Sequence, residues 1–417
     1  MNKPEIMMGT AAFQNGNPAR DSAGRLYYLD WLRVLAILLV FLVHCSKIFD
    51  IHTTVVFNAQ RSLVLTAFRE FTLIWIMPFF FLVSGAAIFL SYRFQQTGGF
   101  IQSRTRRILV PGLLVGTFVV NPPYVYIEKL FSGKTTSGFF QWYPHFFDGL
   151  YVSGKGNFAP WGMGTHLWYL QYLFIFSLIL LPLFIRFKKS GVSLLESASA
   201  YFENPWALFL LFLPVSAAAA MFEVVGLGGV RVTGGWDMIS YMLFLGYGYL
   251  IYANARIQET IRQYSPVFLA AALILTVIYL DAHFGVNLRI PGVTRHDLVS
   301  GELLPSNRSI WAIVQAYRGL AAWCWMIALL GFGRRFLNFN SRLRTYANEA
   351  VLPFYILHHT VIYIVGFYVI QWNAGVGITF IVLSIVSFAG IMGIYEVLIR
   401  RVNLLRILFG MKSKKIR

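Results

Sequence analysis

Charged side chains are scarce in this sequence. Only 12% of its 417 residues are charged, while 57% are hydrophobic; a water-soluble globular chain carries roughly 25% charged residues. A chain of this composition has too few polar groups to cover a surface that faces water, but it suits a surface that faces lipid. The scarcity of charge therefore excludes an ordinary soluble protein and predicts an integral membrane protein.

Cysteine is rarer still, because the chain has two, Cys45 and Cys324, each inside an apolar run. Two such positions build no disulfide framework and match no metal-site spacing, so we expect no bound metal. Residues 1–24 lack the apolar core and small-residue cleavage site of a secretory signal peptide. We therefore expect the first apolar helix to act as an uncleaved insertion signal.

Acidic residues are outnumbered by basic ones, with 17 Asp and Glu against 35 Lys and Arg. The basic residues stand in short clusters between apolar runs and do not form the continuous basic face that nucleic acid requires. We therefore predict no nucleic-acid partner. Clusters in these positions are instead typical of the loops that orient helices in a membrane.

Ten apolar runs have the length of a membrane-spanning helix, which needs about 20 apolar residues to cross the hydrocarbon layer. These runs lie near 28–48, 71–93, 108–128, 167–187, 206–223, 237–253, 266–284, 310–331, 350–371 and 376–399. The sequence thus predicts an all-α polytopic membrane protein with about ten transmembrane helices. The run at 237–253 is the weakest, because it is short and interrupted by glycine.

Loop charges predict the orientation of these helices. With ten helices both termini lie on one side, and the loops of that side hold 23 Lys and Arg residues against 10 in the opposite loops. Because basic loops stay in the cytoplasm, we predict that both termini are cytoplasmic. The predicted organisation is a cytoplasmic tail over 1–25, a membrane domain over 26–400 and a basic cytoplasmic tail over 401–417.

The first apolar run contains two ionisable residues, Arg33 and His44. Arg33 and His44 are eleven residues apart, and a helix turns by three full turns and about 20° over eleven residues. Both side chains therefore lie on the same face of the helix, about 16 Å apart along its axis. Asp30 precedes Arg33 by one turn and can pair with it. Arg33 alone is compatible with an interfacial anchor, and His44 alone with a buried hydrogen bond. Together on one face they favour a functional groove, since ionisable groups in membrane helices commonly mark sites.

Four further phrases follow the Arg33–His44 pair along the chain. They are Pro78-Phe-Phe-Phe-Leu-Val-Ser-Gly85, Arg104-Thr-Arg-Arg107 before Pro111, His166 with Trp168-Tyr-Leu, and Tyr355-Ile-Leu-His358. In this order, and over roughly residues 26–400, they resemble the motifs of the acyltransferase 3 family of integral membrane acyltransferases. The resemblance is to the members that modify glucans or O-antigen and carry no appended hydrolase-like domain.

The sequence departs from the family pattern at two places. Gln171 and the residues after it stand where many members carry a pair of glutamates, so no role of that pair is carried over. Thr360 stands where proline is common after the late histidine.

The resemblance implies an enzyme that moves a short acyl group, acetyl or succinyl, from acyl-CoA to a hydroxyl of a glycan or lipid-linked sugar. Acyl-CoA is then a co-substrate, no metal is implied, and the enzyme is expected in a bacterial inner membrane. The donor's phosphates need cations at the cytoplasmic surface, and the residues expected to supply them are Arg33, Arg104, Arg106 and Arg107.

The catalytic residues that the resemblance implies are His44, Arg33 and His358. His44 would meet the thioester and take the proton of the acceptor hydroxyl, and both direct transfer and a covalent acyl-histidine remain open. His358 and His359 point about 100° apart on one helix, so we expect only one to face the bundle, and the Tyr355–His358 spacing favours His358.

The acceptor is expected to meet the aromatic segment 129–165 and the residues just after it. The residues assigned to acceptor binding are Trp142, Tyr151, Trp161, His166 and Trp168. Rings at this depth also form the interfacial aromatic belt, which is the alternative for this loop. Arg318, in the eighth run, is left open between a cavity wall and a pairing with a neighbour.

Two other classes of protein fit parts of the sequence. A proton-coupled transporter or flippase can use His44 and His358 as a relay, and a membrane scaffold needs neither for chemistry. Membrane lipids are expected partners in every case. The sequence leaves open whether the chain forms a homodimer.

Overall fold

The structure is a computed structural model, and it describes residues 26–53, 55–92, 94–151, 156–162, 165–189, 197, 199–225, 234–284, 308–372 and 374–414. Within these ranges the elements are helices, with no strand beyond an isolated bridge between Leu150 and Phe158. The all-α prediction is therefore confirmed. The predicted tail over 1–25 lies outside the described residues.

In the part of the chain that the structure describes, the first half of the bundle contains eight α-helices, two π-helical segments and a 3-10 turn. They are α1 (Tyr27–Lys47), α2 (Leu63–Leu73), α3 (Ile76–Tyr92), α4 (Thr97–Arg104), the π-helical segments Thr105–Leu109 and Pro111–Val120, α5 (Asn121–Phe131), α6 (Phe139–Trp142), the 3-10 turn Tyr143–Phe147, α7 (Trp168–Ile179) and α8 (Leu181–Lys189).

The second half continues in the same way. Its elements are the 3-10 turn Tyr201–Glu203, α9 (Pro205–Leu210), α10 (Phe212–Val224), α11 (Met238–Ala253), α12 (Ala255–Phe284), α13 (Arg308–Phe336), α14 (Arg342–Val369), α15 (Val376–Ile394), the π-helical segment Tyr395–Ile399 and α16 (Asn403–Leu408).

All ten predicted runs coincide with helices of the described chain. Eight spans are long and apolar enough to cross a membrane, or nine if α7 and α8, bent by 45°, are one span. The remaining run, 237–253, is the shorter helix α11. The polytopic membrane fold is therefore confirmed, and by length and composition the described residues contain eight or nine spans.

Glycines explain why the short helix α11 belongs to the bundle. A Cβ on Gly248 would stand 1.8 Å from the carbonyl oxygen of Leu82, and a Cβ on Gly85 would stand 1.9 Å from that of Leu245. Two membrane helices approach this closely only where small residues face each other. Gly248, one of the glycines that weakened the sequence signal, thus allows α11 to pack on α3 together with Gly85.

The third span is built largely of π-helical turns. The segments Thr105–Leu109 and Pro111–Val120 join α4 to α5, and Pro111 supplies no N–H for an ordinary helical bond. π-helical turns are rare and occur often at functional sites. This span, Thr97–Phe131, carries Arg104 in its first part and Tyr124, whose ring contacts Tyr363 of α14, in its last part.

Arg318 on α13 is buried and stabilises the break between the helices α2 and α3. It donates to the carbonyl oxygens of Leu73, at 2.6 Å, and Gly235, at 2.5 Å, and its guanidinium lies 4.5 Å from the ring centroid of Trp236. Leu73 ends α2, so the arginine satisfies a carbonyl that the interrupted helix leaves free. Arg318 thus holds neighbouring backbone in place and does not line the cavity described below.

Candidate active site

Four histidines from three segments meet inside the bundle. His44 lies on α1, His166 lies just before α7, and His358 and His359 lie on α14. The ring centroids of His44 are 5.0 Å from His358 and 4.5 Å from His359, and those of His166 are 4.9 Å and 4.8 Å from the same two rings. We call these four residues the histidine cluster.

The expectation that only one of His358 and His359 faces the bundle is wrong. Both are buried, and both contact His44. The reason is that α14 packs against α1, α15 and α5, so more than one of its faces points into the bundle. The ring of Tyr124 on α5 lies 4.9 Å from that of His359. His359, although it points about 100° away from His358, therefore also packs inside the protein.

Backbone carbonyls fix the tautomers of two members of the cluster. His358 Nδ1 lies 2.6 Å from the carbonyl oxygen of Tyr355, and His166 Nε2 lies 3.1 Å and 3.0 Å from those of Tyr355 and Ile356. A carbonyl oxygen only accepts, so the proton of neutral His358 is on Nδ1 and that of His166 is on Nε2. The lone pairs are therefore on His358 Nε2 and His166 Nδ1.

Each member of the cluster keeps a nitrogen without a partner. His44 Nδ1, His166 Nδ1, His358 Nε2 and His359 Nδ1 are buried and have no hydrogen bond to any described residue. Buried polar atoms are normally hydrogen-bonded, so four unpaired nitrogens in one cluster need an explanation, and a catalytic role is one that fits. Among the described residues, no three His, Cys, Asp or Glu side chains are arranged to hold a metal ion. The free nitrogens are thus available to a polar substrate.

A cavity of about 790 Å³ leads toward the histidine cluster from the end of the bundle that carries Arg33. On α1 its wall is Arg33, Ile37 and Val40, which are spaced by one helical turn, and His44 is the next position of that stripe. Tyr355 lines the cavity too, and its hydroxyl donates to the carbonyl oxygen of His166 at 2.5 Å. The cavity therefore ends beside the cluster.

The mouth of this cavity is basic. The cations that line it are Arg33, Arg104, Arg107, Arg406 and Lys412. Among the described residues one acidic side chain, Glu349, lines the cavity, and it is paired with Arg406 at 2.8 Å. The lining thus carries an excess of positive charge that suits an anionic ligand.

The predicted basic residues divide between the cavity and the surface. Arg33, Arg104 and Arg107 line the cavity, whereas Arg106 is exposed and lies outside the lining. The expected pairing of Asp30 with Arg33 is present at 4.0 Å, but Asp30 also binds the buried Arg344. Arg33 therefore shares its acid with a second arginine.

Tyr151 reaches the far side of the histidine cluster through a short buried network. Its hydroxyl donates to Glu128 Oε2 at 2.6 Å, and Glu128 is on α5, one turn after Tyr124, whose ring contacts His359. Burial and the bond to Glu128 raise the pKa of Tyr151, so the hydroxyl stays protonated and donates. Of the predicted acceptor residues in the loop, Tyr151 is the one linked to the cluster.

The three predicted tryptophans are packed in the core. Trp142 lies against Tyr126, with ring centroids 5.5 Å apart, and Trp168 lies 5.5 Å from Tyr241. Trp161 covers Gly112, where a Cβ would stand 1.8 Å from the indole nitrogen. All three are buried, so none presents an exposed ring on which a sugar can stack.

Several site residues were not singled out by the sequence. They are His359, Tyr124, Glu128, Arg406 and Lys412. The adjacent pair His358–His359 was the available signal for the first of these. The other four lie near the site only because distant segments fold together, and no spacing along the chain reports that.

Comparisons with known proteins agree with the motif resemblance. The profile of the family described as "Acyltransferase domain" matches residues 26–396. The chain is 25% identical over 406 residues to the glucans biosynthesis protein C of Shigella dysenteriae serotype 1 and to that of Escherichia coli strain SMS-3-5, and each alignment covers 94% of this chain and 95% of the relative. No solved structure matches.

Proposed function

Because the chain belongs to the acyltransferase family matched over residues 26–396, we propose that it transfers an acetyl or succinyl group from acyl-CoA to a hydroxyl of a glycan. That the chain is a membrane acyltransferase, and not a transporter, follows from the family and from its apolar helices. The relatives are named for glucan biosynthesis, which supports a glucan or a lipid-linked sugar as acceptor. A bacterial inner membrane is the proposed location.

The observation that carries the proposal is the order of groups along the cavity. Arginines stand at its mouth, apolar and hydroxyl side chains line its walls, and the histidine cluster lies next to its deep end, beyond Val40 and Tyr355. Acyl-CoA has the same order, with a phosphorylated nucleotide at one end and a thioester at the other. A cavity of this kind can hold the nucleotide near water while the thioester enters the protein.

The arginines of the mouth are proposed to bind the donor's phosphates. A guanidinium binds phosphate through two parallel hydrogen bonds. Arg33, Arg104 and Arg107 face the cavity, and Arg106 adds charge to the same surface. Deeper in the cavity, the hydroxyls of Ser84 and Tyr169 lie 2.7 Å apart and offer polar contacts to the donor's amide groups.

His44 is proposed as the general base. It is half-buried, whereas His166, His358 and His359 are buried, so His44 is the most accessible member of the cluster. His44 takes the proton of the acceptor hydroxyl while the oxygen bonds to the thioester carbonyl carbon. The C–S bond then breaks, and the proton passes from His44 to the thiolate, which leaves as CoA. His358, anchored by Tyr355, is proposed to orient His44 from the adjacent position.

The acceptor is proposed to approach from the Glu128 side of the cluster. There Tyr151, Glu128 and Tyr124 form a polar network next to His359, and sugar hydroxyls bind to groups of this kind. His166 belongs to the cluster itself. Trp142, Trp161 and Trp168 support the surrounding wall from the core, and any contact that they make with sugar requires the loop to open.

A reconstituted transfer assay tests the proposal. Purified full-length protein is given acyl-CoA carrying a labelled acetyl or succinyl group together with a soluble glucan. We expect ester-linked label on the glucan and an equal amount of free CoA thiol. Without acceptor, label on the protein would indicate the covalent acyl-histidine route. If neither acyl-CoA yields labelled glucan or free thiol, the proposed donor is wrong.

A further inference from the structure

The C-terminal segment 403–414 forms part of the cavity, although it lies beyond the residues that the family profile matches. It contains helix α16 and the turn after it. Four of its residues line the mouth: Arg406, Gly410, Met411 and Lys412. The sequence suggested only a basic tail here, so the position of this segment needs its own explanation.

Arg406 folds the segment back on itself and ties it to α14. It is 6% exposed, and it donates to Glu349 Oε1 at 2.8 Å and to the carbonyl oxygen of Lys412 at 2.9 Å. Asn403 and Lys414 exchange two hydrogen bonds, at 3.2 Å and 2.9 Å, which close the segment into a ring. The turn that carries Lys412 is therefore held at both of its ends.

Gly410 seats this turn against the third span. Its φ is +72°, a conformation that glycine adopts without strain. A Cβ at this position would stand 2.8 Å from the carbonyl oxygen of Arg107 and 2.8 Å from a side-chain atom of Leu352. The backbone of the turn thus lies directly on the residue that carries one of the proposed donor-binding arginines.

Lys412, Arg107 and Arg104 are the lining cations that have no carboxylate of the described residues within pairing distance. Arg406 is paired with Glu349, and Arg33 shares Asp30 with Arg344. Of the three cations without a carboxylate, Lys412 and Arg107 lie on the two sides of the contact at Gly410. An exposed lysine has a flexible side chain that can bring its ammonium group to a phosphate, while a neighbouring arginine can bind the same phosphate through two parallel hydrogen bonds.

We propose that the segment 403–414 is a wall of the donor site and that Lys412 contacts the phosphates of the donor's nucleotide. This inference rests on the proposed acyl-CoA donor and adds a binding residue from outside the matched family region. Lys412 acts on the binding of the nucleotide and not on the chemistry at the histidine cluster.

The test compares Lys412→Gln with Lys414→Gln in the purified full-length protein. Both lysines are exposed and lie on the same segment, but only Lys412 lines the cavity, so the two variants lose the same charge at different places. Binding of CoA is measured by calorimetry. We expect the Kd for CoA to rise roughly three- to tenfold for Lys412→Gln and to stay near the wild-type value for Lys414→Gln.

An acyl-pantetheine, which has no nucleotide, provides the second readout. Transfer from it should be equal in the wild type and in Lys412→Gln, since the contact is with the nucleotide. If both lysine variants bind CoA as tightly as the wild type, or both bind it equally weakly, the proposed role of Lys412 is wrong. The proposal that acyl-CoA is the donor is not affected by that result. If the wild type itself does not bind CoA, the proposed donor fails instead.

Discussion

At the residue scale, the position of a proton decides what His358 can do. Its Nδ1–H is bound to the carbonyl oxygen of Tyr355, so Nε2 has a lone pair inside the cluster. An asparagine at 358 keeps a donor near the place of Nδ1 but has nothing at the place of Nε2. We predict that His358→Asn folds normally and lowers kcat about tenfold or more, measured with acyl-CoA and glucan, with KM for acyl-CoA unchanged.

His358→Ala is the companion variant, because it removes the anchor as well. If His358→Asn kept wild-type activity and only His358→Ala lost it, the residue would be a structural anchor of α14 and no more.

His44 is predicted to be indispensable for transfer. It is the half-buried member of the cluster and continues the cavity stripe of α1. We expect His44→Ala to lower kcat by about 10²–10⁴-fold, which is the usual contribution of a general base. The Kd for CoA should not change, since the basic mouth is about 16 Å away along the helix.

His145→Ala is the matched control for that variant. His145 is an exposed histidine that pairs with Asp148 in the loop, outside the cluster, and its removal should leave kcat at the wild-type level. Substantial acylation by His44→Ala, beside a normal control, would contradict the catalytic role.

The sequence identifies single site residues when one helix carries the whole pattern. Arg33 and His44 share a helix face, and that face indeed runs from the cavity mouth to the cluster. His359 was misjudged because helical geometry gives the angle between neighbours but not how many helices surround them. Glu128 and Tyr124 could not be found at all, since their relation to His359 depends on the packing of α5 against α14.

At the element scale, the contact between α3 and α11 depends on two glycines. We predict that Gly248→Ala lowers the free energy of unfolding by about 1–3 kcal/mol or more, because the added methyl group would overlap the backbone of Leu82 and force the helices apart. The measurement is the thermal unfolding midpoint of the purified protein in detergent, together with the yield of folded protein.

Gly246→Ala is the control on the same helix. A Cβ on Gly246 meets nothing within 4 Å, so this substitution should leave the stability unchanged or raise it by up to about 1 kcal/mol. Equal midpoints for the two variants would show that the close approach of α3 and α11 is not what stabilises this pair.

Hydropathy predicts the positions of the helices well, but it does not predict where a helix breaks, bends or changes to π-helical turns. All ten apolar runs are helices, but hydropathy does not reveal the break between α2 and α3 at residues 74–75 or the bend at Leu180. The π-helical turns around Pro111 have no hydropathy signal either. The sequence predicts a basic tail over 401–417, because charges counted along the chain do not reveal the contacts that Arg406 makes.

At the scale of the whole molecule, the charge of the loops predicts how the bundle lies in the membrane. Gln102 is exposed near the basic mouth, and Thr136 is exposed in the segment beyond α5. We predict that a cysteine at 136 reacts with an impermeant maleimide in intact cells, whereas a cysteine at 102 reacts only after the membrane is opened. The native Cys45 and Cys324 are buried and should stay unlabelled. The reverse pattern would invert the orientation.

Donor and acceptor are predicted to enter the protein from opposite ends and to meet at the histidine cluster. The basic mouth and the cavity lie on the Arg33 side of the cluster, whereas the network of Tyr151 and Glu128 lies on the other. A charged nucleotide that moved to mid-membrane would lose its hydration at a cost of several kcal/mol per ion. The pantetheine arm, which is uncharged, can instead cross the apolar part of the cavity while the nucleotide stays at the arginines.

Sealed vesicles of known orientation test this arrangement, because neither acyl-CoA nor a glucan crosses a bilayer. We expect transfer when acyl-CoA is on the side of the basic mouth and the glucan is on the opposite side. We expect no transfer when the same two compounds are exchanged between compartments, or when both are on one side. Opening the vesicles with detergent should restore activity in every arrangement, which controls for inactive protein. Transfer with both compounds confined to the side of the basic mouth would mean that the acceptor, too, enters through the cavity.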